Sequence, residues 1–243
     1  MAFQAIPDTF LKVYGPLIDK GYHPKCWRQA TGAILAKPGK PDYSIPKAYR
    51  IISLLNCLGK VSERILARRL GLMAENGPLL HDSQMGGRRK RSAVDTAMLL
   101  TDFVERDKAN SRNSSVAFLD VKGAFDHVAK GRLLQTMHSL SLPQSIIDWT
   151  RSFLEERLIR LAFDGQIEEF SEVESGVPQG SPISPILFLI YIRDLFQNLG
   201  DVYLLSYIDD IALATSSTSW TKNARILQRE VGKLTRTGDS QAI

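Results

Sequence analysis

Two adjacent carboxylates, Asp209 and Asp210, sit inside the apolar run Val202-Tyr-Leu-Leu-Ser-Tyr-Ile-Asp-Asp-Ile-Ala-Leu-Ala-Thr215. The flanks read as two short strands that turn at Ile208-Asp209-Asp210. Two negative charges side by side among buried strands cost both desolvation and mutual repulsion. A divalent cation that neutralises them removes that cost. The hairpin is therefore a candidate metal site, with an ordinary turn as the simpler reading.

The chain's 243 residues are 44% hydrophobic and 23% charged, enough for one large domain or two small lobes with a sizeable core. Cys26 and Cys57 alone make neither a disulfide framework nor a Cys-based zinc site, which points to a reducing, intracellular compartment. The formal charge of +5 leans mildly toward polyanionic partners. No stretch reaches the roughly 18 apolar residues that span a bilayer, so no membrane partner is expected. The apolar run Ile186 to Ile192 reads as a buried helix. No basic region followed by an apolar stretch marks the N-terminus as a secretory signal. The four histidines show no ligand spacing.

Patterning predicts helices over 8–20, 58–74, about 93–107, 127–140, 143–157 and 220–234. Ser92-Ala-Val-Asp95 fits a capping box. Strands are predicted over 27–35, 49–55, 116–121 (buried), 158–163 and 169–174, with a hairpin signal at Asp164-Gly165. Ser181-Pro182 reads as the start of a helix that runs to about Gln197. The mixture argues an α+β fold, with helices backing a small antiparallel sheet.

A second carboxylate site lies at Phe118-Leu-Asp120-Val-Lys-Gly-Ala-Phe125-Asp126, where Asp120 ends a strand. If its strand neighbours the Asp209-Asp210 hairpin, three carboxylates converge. Hard oxygen ligands suit Mg²⁺, which keeps waters and takes one or two carboxylates plus substrate phosphates. A pair of such ions stabilises both the attacking and the leaving oxygen at phosphorus. By itself Asp120 is equally an aspartate capping a turn, and Asp126 reads as a helix cap. Between these segments, Ser175-Gly-Val-Pro-Gln179-Gly180-Ser-Pro-Ile-Ser-Pro185 is either a tight structural turn or a loop that lets backbone approach a ligand.

Asp-x-x-x-Ala-Phe-Asp, Gly-x-Pro-Gln-Gly-x-x-x-Ser-Pro and Tyr-x-Asp-Asp, in that order, resemble motifs A, B and C of reverse transcriptases, above all those of non-LTR (LINE-like) retrotransposons. Upstream, Ile34-Leu-Ala-Lys37-Pro-Gly-Lys40, Tyr49-Arg50-Ile-Ile-Ser-Leu-Leu55, Gly59-Lys-Val-Ser-Glu-Arg64 and Gln84-Met-Gly-Gly-Arg88-Arg-Lys-Arg-Ser92-Ala-Val-Asp95 are similar to that family's fingers region. The resemblance runs from about Trp27 to Leu234. It implies a right-hand polymerase fold and an RNA-directed DNA polymerase that adds dNTPs to a DNA primer on an RNA template. It implies a catalytic set Asp120, Asp209 and Asp210 holding two Mg²⁺ ions (Mn²⁺ being a substitute), with the Val121 carbonyl completing a metal shell. Phe125 becomes a steric gate against a 2′-hydroxyl. Gln179 and Gly180 line the incoming nucleotide. Lys37 and Arg50 grip its triphosphate, with Lys40 as an alternative to Lys37. Tyr207 packs near the primer terminus. Arg88, Arg89, Lys90 and Arg91 fit template phosphates, or simply a solvated face.

The resemblance also implies domains: a fingers region with an N-terminal extension over 1–115, and a palm over 116–243 carrying a fingers-contributing insertion at about 127–175. The chain stops before motif D and a thumb, and lacks a preceding endonuclease. This implies a fragment of a parent polyprotein, acting in the nucleus. Arg50-Ile-Ile-Ser and Gly86-Gly87-Arg88 depart from the family's Arg-Pro-Ile-Ser and Gly-Phe-Arg, losing a rigid turn and an aromatic contact. A catalytically incompetent remnant, a group II intron-type maturase fragment and a two-metal nuclease remain as alternatives.

Overall fold

A computed structural model describes residues 6–241. In chain order its elements begin with α1 (Pro7–Asp19), β1 (Gln29–Ala36), β2 (Tyr49–Leu55) and α2 (Cys57–Asn76). Next come α3 (Ala93–Ala109), β3 (Asn113–Asp120), α4 (Lys130–Ser139) and α5 (Gln144–Leu154). The short strands β4 (Leu158–Phe163), β5 (Gln166–Ile167) and β6 (Ser171–Glu172) precede α6 (Ser184–Ile192). The hairpin β7 (Tyr203–Tyr207) and β8 (Asp210–Ser217) is followed by α7 (Trp220–Gln241). The chain divides into two compact units: Met1–Arg69 with Ala129–Ser184, and Leu70–Val128 with Pro185–Ile243.

The first unit is built on a sheet of order β2-β1-β4-β5, with β6 also paired to β4. Antiparallel β1 and β2 set Leu35 opposite Arg50 and Ala36 opposite Tyr49. The β4–β5 hairpin turns at Asp164-Gly165, where both residues have positive φ (49° and 76°), as a two-residue hairpin loop requires. On α5 the apolar residues Ile146, Ile147, Trp149 and Phe153 fall on one helical face and are buried. Trp149 and Phe153, with Trp27, close an aromatic cage around the fully buried His23, ring centroids 5.0 to 5.7 Å away.

The second unit is built on a three-stranded antiparallel sheet, β3-β8-β7. Strand alternation turns Ile211, Leu213 and Thr215 of β8 to one face, where they are buried. Asp210 and Ala212 share the other face with Asp120 and Phe118 of β3. Helix α6 is apolar on every side, and its Leu187 to Ile192 are all buried, as a fully enclosed helix demands. Helices α3 and α7 pack on the sheet; Phe103 of α3 stacks on Tyr203 of β7 at 5.1 Å. The outer edge of β7 is capped by residues 83–85: Ser206 N–H donates to Ser83 O at 2.9 Å, and Met85 N–H to Ser206 O at 2.7 Å. Gln84, fully buried, donates from Nε2 to Leu189 O at 2.8 Å. The edge is thus closed to other strands.

Several expectations shift. The strand expected to be buried, β3, is only half-buried, and Phe118 stands 72% exposed, because only one of its faces is packed. Trp27 lies in a 3-10 turn, Lys25–Trp27, ahead of β1. Helix α4 begins at Lys130 with Ala129 as its N-cap, so Asp126 does not cap it. The expected strand 169–174 shortens to Ser171–Glu172. The helix expected from Ser181-Pro182 begins instead at the second Ser-Pro pair, Ser184-Pro185. The Ser181 hydroxyl instead donates to Glu63 Oε2. That helix ends at Ile192 and tightens into a 3-10 turn, Arg193–Phe196. Ser92 and Asp95 do form the expected capping box. Among the described residues no helix is long and apolar enough to cross a membrane.

Candidate active site

The ladder between β3 and β8 runs without a bulge from Asn113↔Ser217 to Asp120↔Asp210. Asp120 and Asp210 are thereby register partners at the end of the sheet. Such partners hold their Cβ atoms about 4.5–5.5 Å apart, within reach for two carboxylates that share one ion. On the other side of β8, Tyr207 is the partner of Asp210. Asp209 lies in the turn between them, and its carbonyl accepts from Val121 N–H at 3.2 Å. Four residues expected to act together, Asp120, Val121, Asp209 and Asp210, are therefore fixed by one continuous hydrogen-bond pattern.

The turn is strained. Ile208 has φ 59°, a left-handed conformation that costs a β-branched residue about 1–3 kcal/mol. A two-residue loop with positive φ at its first position normally takes glycine there. The neighbouring backbone holds it in place: a Cβ built on Gly86 would fall 2.5 Å from Ile208 N and 2.6 Å from Ile208 Cγ1. Gly86 is thus a residue of the site by virtue of having no side chain. The Gly86-Gly87 sequence that departs from the family pattern sits directly under the acidic turn.

Burial pushes the Asp209 carboxyl above its ordinary range, and the negative charges of Asp210 and Asp120 push it the same way, against a lowering backbone hydrogen bond. Among the described residues no salt bridge reaches any of the three. This is uncompensated negative charge on a rigid sheet end, and the donor set is all oxygen, which fits Mg²⁺. As placed, no group of three His, Cys, Asp or Glu side chains among the described residues is close enough to hold a metal ion.

Phe125 follows β3 in the same unit. It is half-buried and stacks on the fully buried Phe188 of α6, centroids 5.2 Å apart and planes 26° from parallel. One ring face is therefore anchored while part of the side chain stays accessible.

Lys37, Arg50, Gln179 and Gly180 belong to the first unit. Lys37 directly follows β1, and Arg50 is the second residue of β2, opposite Leu35, so the two cations stand at the same end of the β1–β2 pair, where the 37–48 loop connects the strands. Lys37 Nζ donates to Lys47 O at 3.2 Å, while Arg50 is exposed. The loop 176–181 lies against β2: Ser53 N–H donates to Gln179 O at 2.7 Å. Gly180 has φ +117°, and a Cβ there would fall 2.7 Å from Ser53 O, so only glycine fits.

The basic run is not exposed as one patch. Arg88 is turned inward, with a side chain 5% exposed that pairs with Glu75 at 2.8 Å. It also donates to the carbonyls of Ala74 and Gln84. Arg91 is 3.7 Å from the same Glu75 and donates to Asp82 O. Arg89 and Lys90 are exposed. Two of the four expected phosphate contacts are thus engaged in holding the segment that caps β7.

The sequence assigns no role to Gly86 or to two buried charges, Glu63 and Arg157. A signal for Glu63 was available. It falls on the same stripe of α2 as Gly59, Leu66 and Leu70, the last two fully buried, so a carboxylate there has to find a partner inside.

Residues 36–236 match the family model described as reverse transcriptase (RNA-dependent DNA polymerase). The RNA-directed DNA polymerase from mobile element jockey of Drosophila melanogaster is 31% identical over 225 residues, covering 88% of this chain and 24% of that protein. Its namesake from Drosophila funebris is 31% identical over 234 residues, covering 92% and 25%. The chain thus spans about a quarter of the length of these curated relatives. Telomerase from Candida albicans, solved with a fragment of telomeric RNA, superposes with a TM-score of 0.59 at 13% identity, over 95% of this chain and 45% of that one. That likeness establishes the right-hand polymerase fold expected from the motifs.

Proposed function

The chain belongs to the reverse transcriptase (RNA-dependent DNA polymerase) family, and from that membership we propose that it is the polymerase segment of a LINE-like retrotransposon protein, extending a DNA primer on an RNA template. The observation that carries this reading is the register pairing of Asp120 with Asp210 beside the Asp209 turn. We read the second unit as the palm and the first as the fingers, which moves residues 70–115, expected with the fingers, to the palm.

In this reading Asp120, Asp209, Asp210 and the Val121 carbonyl would hold two Mg²⁺ ions. Bound there, the ions supply charge neutralisation for nucleotidyl transfer, a reaction in which a primer 3′-hydroxyl displaces pyrophosphate from a dNTP. The chain's own residues position the reactants. Phe125, anchored on Phe188, closes the space beside the sugar of the incoming nucleotide, so that a 2′-hydroxyl clashes. Gln179, half-exposed on a fixed loop, offers its amide to the nucleotide. Arg50 grips the triphosphate through its planar fork, and Lys37 adds a point charge. Tyr207, beside Asp210 in the ladder, supports the primer terminus. Arg89 and Lys90 add salt-dependent affinity for the template backbone. The parent protein acts in the nucleus, with further modules beyond this segment.

Primer extension on an RNA template tests the reading. Wild-type chain with Mg²⁺ and dNTPs extends the primer; Asp209→Asn abolishes extension while template binding survives. Undiminished extension by the variant overturns the metal assignment. Extension on DNA templates alone overturns the template assignment.

A further inference from the structure

The loop Gly176-Val-Pro-Gln-Gly-Ser181 belongs to neither a helix nor a strand, yet each of its ends is fixed by a buried charge. At its start, Arg157 donates from Nη1 to Gly176 O at 3.1 Å. At its end, the Ser181 hydroxyl donates to Glu63 Oε2 at 2.5 Å and accepts from Ile183 N–H at 3.3 Å. Glu63 is 1% exposed, Arg157 4% and Ser181 5%. Between the two anchors, Gln179 O is held by Ser53 N–H and Gly180 presses on Ser53 O. All of these residues lie in the first unit.

Burying two opposite charges is an expensive way to fasten a turn. Apolar packing would hold its position as well, with less desolvation. What a charge pair adds is direction: each partner demands one hydrogen-bond geometry. Glu63 and Arg157 attract each other, and each spends one bond on one end of the same loop. The carboxyl of Glu63 is pushed up by burial and drawn back by Ser181, Lys60 and Arg157. The side chain these anchors leave accessible is that of Gln179.

We propose that Glu63 and Arg157 are positioning residues that clamp the two ends of the Gly176–Ser181 loop and thereby aim Gln179 at the incoming nucleotide. The nucleotide half of this statement rests on the reverse-transcriptase reading; the clamp itself does not. Neither residue touches substrate. Their effect is on how well a dNTP is held, with the chemistry at the carboxylates left alone.

Two measurements on the same variants separate these halves. Ser181→Ala is the mildest cut, since it removes one hydroxyl; Glu63→Gln keeps an acceptor for that hydroxyl, and Glu63→Ala removes it. In hydrogen exchange, Ser181→Ala and Glu63→Ala speed the backbone amides of Val177, Gln179 and Gly180 by about tenfold, the worth of one charge-assisted hydrogen bond, and Glu63→Gln restores part of the protection. Amides of β8 keep their wild-type rates. In primer extension, Ser181→Ala and Glu63→Ala raise KM for dNTP by about tenfold with a smaller change in kcat, and the double variant is no worse than the worse single one. If loop exchange is unchanged in Ser181→Ala, or the two single effects add in full, the clamp is overturned. If exchange responds but KM does not, the aiming of Gln179 is overturned. A wild-type chain that extends no primer overturns the polymerase reading, while the exchange data still decide the clamp. Should Glu63→Ala fail to fold, the exchange rates of Ser181→Ala and Glu63→Gln decide the clamp by themselves.

Discussion

Asp120 and Asp210 face each other as register partners across the antiparallel ladder of β3 and β8, with Asp209 in the adjoining turn hydrogen-bonded through its carbonyl to Val121. The sheet therefore stores repulsion at one end.

That stored repulsion gives the first prediction. The Asp209 carboxyl is held above its usual range, so it costs the fold nothing below the ordinary carboxylate pKa, and stability is lost as pH rises through the elevated value. A cation cancels this loss. Adding Mg²⁺ raises the melting temperature at pH 7 and has much less effect near pH 4. Asp209→Asn melts higher than wild type without metal and responds weakly to Mg²⁺. Thermal melts with and without EDTA at both pH values check this; an Asp209→Asn chain that keeps the full Mg²⁺ shift refutes it.

The backbone elements of this arrangement were legible in the sequence because they are local. The Tyr207-to-Asp210 hairpin and the Asp120 strand end follow from strand alternation and turn chemistry within a few residues, whereas Phe125 stood out only through the motif resemblance. The supports were not legible. That Gly86 lies under Ile208 and that Glu63 meets Ser181 depends on segments joined only in the folded chain. The misplaced start of α6 has a similar origin: of the two Ser-Pro pairs, the first has its Ser181 hydroxyl engaged by a residue far away in sequence, and the helix begins at the second. The division within the basic run was hidden for a similar reason, since Glu75 of the preceding helix pairs with Arg88.

The second prediction concerns Gly86. A methyl group there meets backbone, 2.5 Å from Ile208 N, and backbone cannot swing aside as a side-chain tip can. Gly86→Ala should destabilise the chain by about 1–3 kcal/mol, the usual cost of overpacking, and lower kcat for extension more than it raises KM for dNTP. Denaturant unfolding and steady-state kinetics on the one variant measure both. Wild-type kcat in Gly86→Ala would show that the turn tolerates displacement.

The basic run divides into two kinds of residue with separable signatures. Arg89→Ala and Lys90→Ala should each flatten the salt dependence of RNA binding by about one unit of slope or less, as expected for lost phosphate contacts. Arg88→Ala should leave that slope alone and instead lower stability, because it leaves the Glu75 carboxylate without its nearest partner. Binding titrations across salt concentrations, with melting curves alongside, distinguish the two; a changed slope for Arg88→Ala would place that side chain on the nucleic acid.

His23 gives the chain an acid limit unrelated to its chemistry. Burial in the cage of Trp27, Trp149 and Phe153, with the Arg28 charge beside it, lowers its pKa from 6.5 to about 4. The folded chain keeps the ring neutral, and the unfolded chain protonates it first. Between pH 6.5 and about 4 the unfolded state therefore binds the extra proton, and stability falls as pH falls through that window. The full fall is on the order of 3 kcal/mol, at about 1.4 kcal/mol per unit. Below about pH 4 this contribution levels off, because both states carry the proton. His23→Phe keeps an aromatic ring in the cage and has nothing to protonate. Its unfolding free energy, measured in urea from pH 7 down to pH 4, should decline less steeply than that of wild type. Parallel curves for the two chains would mean that other groups set the acid limit.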